Sequence, residues 1–126
     1  MASYVIDIEG KTLANENFRE VLFTASHSQL VIMSLLPEEE IGREVHTVDQ
    51  FLRIEQGEGK AILDGQEYEI KDGSAIVVPA GCQHNIINTS STEKMKLYTI
   101  YSPAEHKDGT VHKTKENAMA DEEDHA

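Results

Sequence analysis

The 126 residues contain one cysteine, Cys82, so no disulfide forms within the chain. Basic residues are also scarce: 11 lysines and arginines stand against 23 aspartates and glutamates, a formal net charge of −12. Such a field repels phosphate backbones and anionic membrane surfaces, which argues against nucleic-acid and membrane partners. No apolar run approaches the roughly 20 residues of a membrane helix. The opening MASYVIDIEGK lacks both the basic and the apolar region of a signal peptide, so a cytoplasmic protein is expected. Helical periodicity is missing as well. No segment before residue 105 carries it, and only 109–120 reads as a short helix.

Short β-rich runs are what the chain has instead. FREVLFTA (18–25), QLVIMSLL (29–36), FLRIEQ (51–56), SAIVVP (74–79), HNIIN (84–88) and MKLYTIY (95–101) are separated by polar or turn-forming residues. GKAILDGQEYEI (59–70) reads as a hairpin about Asp64-Gly65, a dipeptide suited to a type I′ turn. About eight strands at this spacing predict an all-β sandwich or closed barrel. The length is that of one domain. We place it at 1–104, followed by a polar, partly disordered tail at 105–126 whose composition cannot offset its ordering entropy.

The stretch EVHTVDQFLRIEQ, Glu44 to Gln56, carries the candidate chemistry. Residues two apart on a strand share a face, so Glu44 and His46 project together and Gln50 joins them after a bend. An inward Gln50 brings Leu52 and Ile54 inward too and sends Arg53 and Glu55 outward. Three polar side chains then lie on the apolar side, where unpaired polar groups are costly. The segment GSAIVVPAGCQHNIIN, Gly73 to Asn88, supplies a partner: a Pro-Ala-Gly turn reverses the chain and sets His84 opposite His46.

These two segments resemble the paired motifs of the cupins. Glu44-x-His46-x3-Gln50-x6-Gly57 is similar to the first motif, with Glu44 where the family has its first His and Gln50 where it has Glu. Gly73-x5-Pro79-x-Gly81-x2-His84-x3-Asn88 matches the second motif at each position. The resemblance, loosely to phosphomannose-isomerase-like members, implies a single cupin jelly-roll β-barrel of two antiparallel sheets. It implies a divalent transition metal (Fe, Mn, Ni, Co or Zn) held by Glu44, His46, Gln50 and His84, with Glu44 alternatively a general base. The implied function is a metal-dependent isomerase, lyase or oxygenase acting on a small polar molecule. The alternative is a non-catalytic cupin that binds a sugar-like molecule without metal. A homodimer is expected through N-terminal strands, 4–8 or 18–25. Cys82 is expected to be a filler of the turn and Asn88 to bond turn backbone. One of Tyr98 and Tyr101 is a candidate to reach the pocket, and His27, His106, His112 and His125 are expected in solvent.

Overall fold

The computed structural model describes all 126 residues. Nine strands form two antiparallel sheets: β1 (Arg19–Thr24), β2 (Gln29–Leu35), β3 (Asp49–Gln56), β4 (Glu58–Leu63), β5 (Gln66–Lys71), β6 (Ala75–Val78), β7 (His84–Asn88), β8 (Met95–Ser102) and β9 (Val111–His112). One sheet has the order β6-β3-β8-β2-β1-β9, the other β5-β4-β7. The expected runs become β1 to β8, and the hairpin turns at Asp64 and Gly65 with φ of 48° and 84°, both positive as a type I′ turn requires. The two sheets bury one apolar core between them. Val31, Met33, Leu35, Leu52, Ile54 and Leu97 from the larger sheet meet Ala61, Ile70 and Ile86 from the smaller. Burial along β3 alternates with Gln50, Leu52 and Ile54 inside, the expected phase. Arg53 and Glu55 lie on the other face but pair with each other at 3.0 Å, and only the arginine is well exposed.

Two segments differ from expectation. Residues 4–8 form no edge strand. Tyr4 stacks on Phe23 at 5.2 Å, and a helix, α1 (Ile8–Ala14), follows. Asp7 caps it by accepting from the Gly10 N–H at 3.1 Å. Seven residues are too few to display a helical period, which is why the pattern gives no sign of it. Helix α1 lies against β2, β3 and β8. There Ile32, on the outer face of β2, is fully buried. Lys96 on β8 is buried too; its Nζ donates to the Asn15 carbonyl and pairs with Glu16. Nor is β1 a free edge along its first residues, because β9 pairs with Arg19 and Glu20.

The second difference is the tail. Residues 105–126 hold β9 and a second helix, α2 (Lys115–Ala120), and bury His106, His112 and Asp124. Apolar burial is not what fixes this segment, so composition does not reveal it. Polar anchors do so instead. Asp124 Oδ2 accepts from His106 Nδ1 at 2.7 Å, while its Oδ1 accepts from the Lys107 N–H and the Thr110 hydroxyl, each at 3.2 Å. His112 Nε2 donates to Asp121 Oδ2 at 2.9 Å. Gln29, on β2, accepts from the His106 N–H at 3.0 Å and donates to its carbonyl at 2.7 Å. Only His27 and His125 of the expected solvent histidines are exposed. No helix is long and apolar enough to cross a membrane.

Asn88 takes the structural role expected of it. It is fully buried, and its Nδ2 donates to the carbonyls of Leu35, Leu36 and Glu93 at 3.3, 3.0 and 2.8 Å. Asn88→Ala strands those acceptors and is expected to cost about 3 kcal/mol in urea unfolding, against less than about 0.5 for the exposed neighbour Thr89→Ala.

The tail gives a pH prediction. Burial, then the nearby Arg19 charge, pushes His106 down, and this outweighs the upward pull of Asp124, leaving the imidazole at about 4. Between pH 6.5 and 4 the unfolded chain therefore takes up a proton that the folded chain refuses, and stability falls as pH falls. A depression from 6.5 to about 4 corresponds to about 3 kcal/mol. His106→Gln is expected to remove that slope. Subtracting its pH profile from wild type in urea unfolding isolates the contribution from that of His46, whose raised pKa acts in the opposite direction. Equal slopes in the two proteins would contradict the assignment.

Candidate metal centre

The site begins with backbone. Glu44 and His84 exchange two hydrogen bonds, each amide donating to the other's carbonyl at 2.9 Å. This isolated antiparallel bridge ties the segment before β3 to the start of β7. The turn between β6 and β7 is fixed from several sides. The Gly81 N–H donates to the His46 carbonyl and the Cys82 N–H to the Pro79 carbonyl, at 2.9 and 3.1 Å. The Gln83 N–H donates to Asp64 Oδ1, and the Ala80 N–H to Asp49 Oδ1, both at 2.9 Å. Gly81 holds φ at +87°, a conformation that suits glycine. The sequence Pro-Ala-Gly-x-x-His is thereby folded so that His84 enters its strand facing His46.

The side chains converge accordingly. Glu44, His46 and His84 each bring a donor atom to within 4.8 Å of the others. The two imidazole rings meet edge to face, centroids 4.9 Å apart, and His46 Nε2 lies 3.5 Å from Glu44 Oε2. His84 Nδ1 is bound to the Cys82 carbonyl at 2.9 Å. A carbonyl only accepts, so that nitrogen carries the proton and Nε2 is left with a free lone pair. Gln50 is set in a similar way. Its Nε2 donates to Thr99 Oγ1 at 3.0 Å, which fixes the amide and leaves Oε1 as the acceptor. His84 Nε2, Gln50 Oε1 and His46 Nδ1 are all buried without a hydrogen-bond partner. Buried polar atoms are normally satisfied, and three orphans around one carboxylate are an exception that calls for a cause.

The electrostatics point the same way. Glu44 is partly buried, which raises its pKa, but the bond to His46 and the charges of His46, Arg19 and His84 outweigh burial and hold the carboxyl low. His46 is pushed down by burial and pulled up more strongly by Glu44, so it ends raised. A carboxylate, two imidazoles and an amide oxygen are the mixed O/N donors that suit Fe, Mn, Ni, Co or Zn. The orphaned acceptors fit a cation and would be poorly served by a purely apolar ligand.

The four residues expected from the sequence therefore lie together: three within mutual reach, and Gln50 on the same interior face. Cys82 lies in the turn, its thiol against the Gln83 carbonyl at 3.6 Å. Partial burial and the neighbouring Asp64 push that thiol up, away from a ready thiolate. Tyr101, not Tyr98, is the tyrosine that reaches the site. It is 2% exposed, with its ring 5.7 Å from that of His46 and 5.1 Å from that of His106. Burial pushes its phenol well above the usual range.

Residues outside the two motifs complete the surroundings and escape motif reasoning: Arg19 on β1, Thr99 on β8, and His106 and Asp124 in the tail. The phase of β8 is the signal that finds Thr99, because it shares the inward face with Met95, Leu97 and Tyr101. A surface concavity of about 580 Å³ beside Gln56 and Lys71 contains none of these side chains and has no apolar lining.

Comparison with known proteins agrees with this fold. Residues 31–101 match the cupin domain family, a span that includes both motifs. The chain is 49% identical over 128 residues to the uncharacterised protein YrkC of Bacillus subtilis, covering 95% of this chain and 68% of that one. It is 47% identical over 113 residues to protein L612 of Acanthamoeba polyphaga mimivirus, covering 86% of this chain and 70% of that one. Among solved structures, BH2720 from Bacillus halodurans superposes with a TM-score of 0.92 at 42% identity, over 95% of this chain and 96% of that one. An RmlC-like cupin from Shewanella frigidimarina shares the fold at 21% identity, with a TM-score of 0.63 over 68% of this chain and 75% of its own. The two facing sheets, the paired motifs and these matches place the chain in the cupin family.

Proposed function

We propose that the protein is a metal-dependent cupin enzyme acting on a small polar molecule, with Glu44, His46, Gln50 and His84 as the metal's ligands. The observation that carries the reading is the convergence of donor atoms of Glu44, His46 and His84 within 4.8 Å of one another, with His84 Nε2 buried and unpartnered beside an ionised Glu44. A buried acceptor without a hydrogen bond costs about 1–3 kcal/mol, and a divalent cation beside Glu44 relieves that of His84 Nε2.

The residues divide the work. His84 is held in one tautomer by the Cys82 carbonyl, and Gln50 in one orientation by Thr99, so both present fixed lone pairs. A set of two imidazoles, one carboxylate and one amide leaves coordination positions for a ligand. When bound, a metal there supplies Lewis-acid polarisation of a carbonyl or hydroxyl oxygen, and a redox-active ion adds oxygen chemistry. Glu44 is the only partly exposed member of the set, at 34% for its side chain, and it sits where an incoming molecule meets the donors. In the alternative in which Glu44 stands off the metal, a carboxylate in that place moves a proton on a bound substrate, as isomerase or lyase chemistry needs. Tyr101 walls the site beside His46 and limits it to small molecules.

The reading is tested on protein purified without added metal, by elemental analysis and by titration with Mn(II), Co(II), Ni(II) and Zn(II). We expect at least one ion to bind with a Kd below about 1 μM, and tighter binding to raise the melting temperature. In the double variant His46→Ala/His84→Ala that rise is expected to vanish. An ion that stabilises wild type and double variant equally would rule out this ligand set. Absence of any tight ion would leave the barrel a metal-free binding module.

A further inference from the structure

Arg19 is a buried charge to which the metal reading gives no task. Its strand turns Arg19 and Val21 to the interior, where Val21 joins the core and Arg19 is 6% exposed. A guanidinium has five N–H donors, and Arg19 engages one: Nη1 donates to His112 Nδ1 at 3.4 Å. That acceptor is available because the other nitrogen of His112 donates to Asp121. The carboxylate paired with Arg19, Asp124 Oδ2, lies 4.0 Å from Nη1, beyond hydrogen-bond distance. It is already committed to His106 at 2.7 Å. Arg19 Nε is buried without any partner, and its CZ stands 5.2 Å from the Phe18 ring centroid. A buried guanidinium engaged so weakly is costly, and the partner that best matches its planar fork is a carboxylate.

The arginine belongs to the same interior as the donor set. Tyr101 is the link: its ring contacts His46 on one side and His106 on the other, and its hydroxyl lies 3.3 Å from His106 Nε2. His106 in turn holds Asp124, the carboxylate beside Arg19. The Arg19 charge also acts on Glu44 directly.

We propose that Arg19 is an anion-binding residue of the barrel and that its ligand is a small organic acid, whose carboxylate sits on the guanidinium while a second oxygen faces Glu44, His46, Gln50 and His84. Only the second contact rests on the metal reading; the carboxylate contact stands without it. A monoanion is favoured over phosphate because the carboxylates of Glu44, Glu105 and Asp124 all act on this interior. One guanidinium offsets one negative charge, and a dianion meets their repulsion.

The test uses the full chain stripped of metal, with glycolate and inorganic phosphate as probes at low ionic strength. Calorimetry and the NMR signal of the Arg19 side-chain Nε–H report binding. Glycolate is expected to bind saturably and to shift the Nε–H signal. Arg19→Lys, which keeps the charge and loses the fork, is expected to weaken binding on the order of tenfold. Glycolate binding is read without metal and metal binding without glycolate, so the metal reading can fail while this inference survives. Three results would overturn it: no saturable glycolate binding, glycolate binding that Arg19→Lys leaves unchanged, or phosphate binding more tightly than glycolate. If Arg19→Lys does not fold, the wild-type Nε–H signal decides alone, and a signal that glycolate does not move refutes the proposal.

Discussion

Two backbone hydrogen bonds between Glu44 and His84 join the segments on which the site depends. They form one of two isolated β-bridges, the other being Glu40–Ile87, that link the approach to β3, in the larger sheet, with β7, in the smaller. Because each residue both donates and accepts, neither can slide along the other without stranding two buried backbone groups. A one-residue slip would turn His84 away from His46. The Gly81–His46 hydrogen bond on the neighbouring turn closes the same registry from the other side. Donor convergence is thus a consequence of strand register, and the polar side chains are carried into an apolar barrel by a backbone that cannot easily relax to release them.

Such carriage leaves a cost that is distributed unevenly. Asn88, as deeply buried as any residue here, satisfies its amide on three carbonyls, and Gln29 satisfies its own on His106 and Glu105. Fully bonded polar groups of this kind rigidify a core. A few strands away, Gln50 Oε1, His84 Nε2, His46 Nδ1 and Arg19 Nε remain without partners. The contrast lies within one domain and between similar residue types. Orphaned atoms also occur singly elsewhere, at Thr12 Oγ1 and Arg53 Nε, but in this interior several gather together, which marks where the barrel is prepared for something other than itself.

The legible parts of the chain are those governed by short-range rules. Asp64-Gly65 specifies its turn by φ alone, and the apolar runs of β2, β7 and β8 announce themselves by composition. Gln50 could be placed because Leu52 and Ile54 fix the phase of β3. Helix α1 stayed hidden because it is a single capped piece whose stability comes from docking on the outer face of the sheet. The tail stayed hidden because its anchors are ionic and reach far along the chain, Asp124 to His106 and Arg19, so that a polar composition conceals ordered structure. Arg19 itself was ambiguous. In FREVLF both faces of the strand carry one charge, Arg19 on one and Glu20 on the other, and alternation alone does not say which charge is buried.

Charge balance connects the two halves of the interior. Glu44 and Asp124 are both held ionised, and Arg19 is the fixed cation between them, while His106 is kept neutral by a pKa of about 4. Without a metal the interior carboxylates oppose an anion and only the fork of Arg19 draws one, so binding there is weak. A divalent cation on the proposed ligands would add two positive charges in a low-dielectric space, where Coulombic terms are strong, and would tighten that binding. The glutamate at position 44 does not alter this charge relative to the family's pattern. Gln50 stands where the family has Glu, so the negative charge has moved from one ligand position to the other and its amount is unchanged.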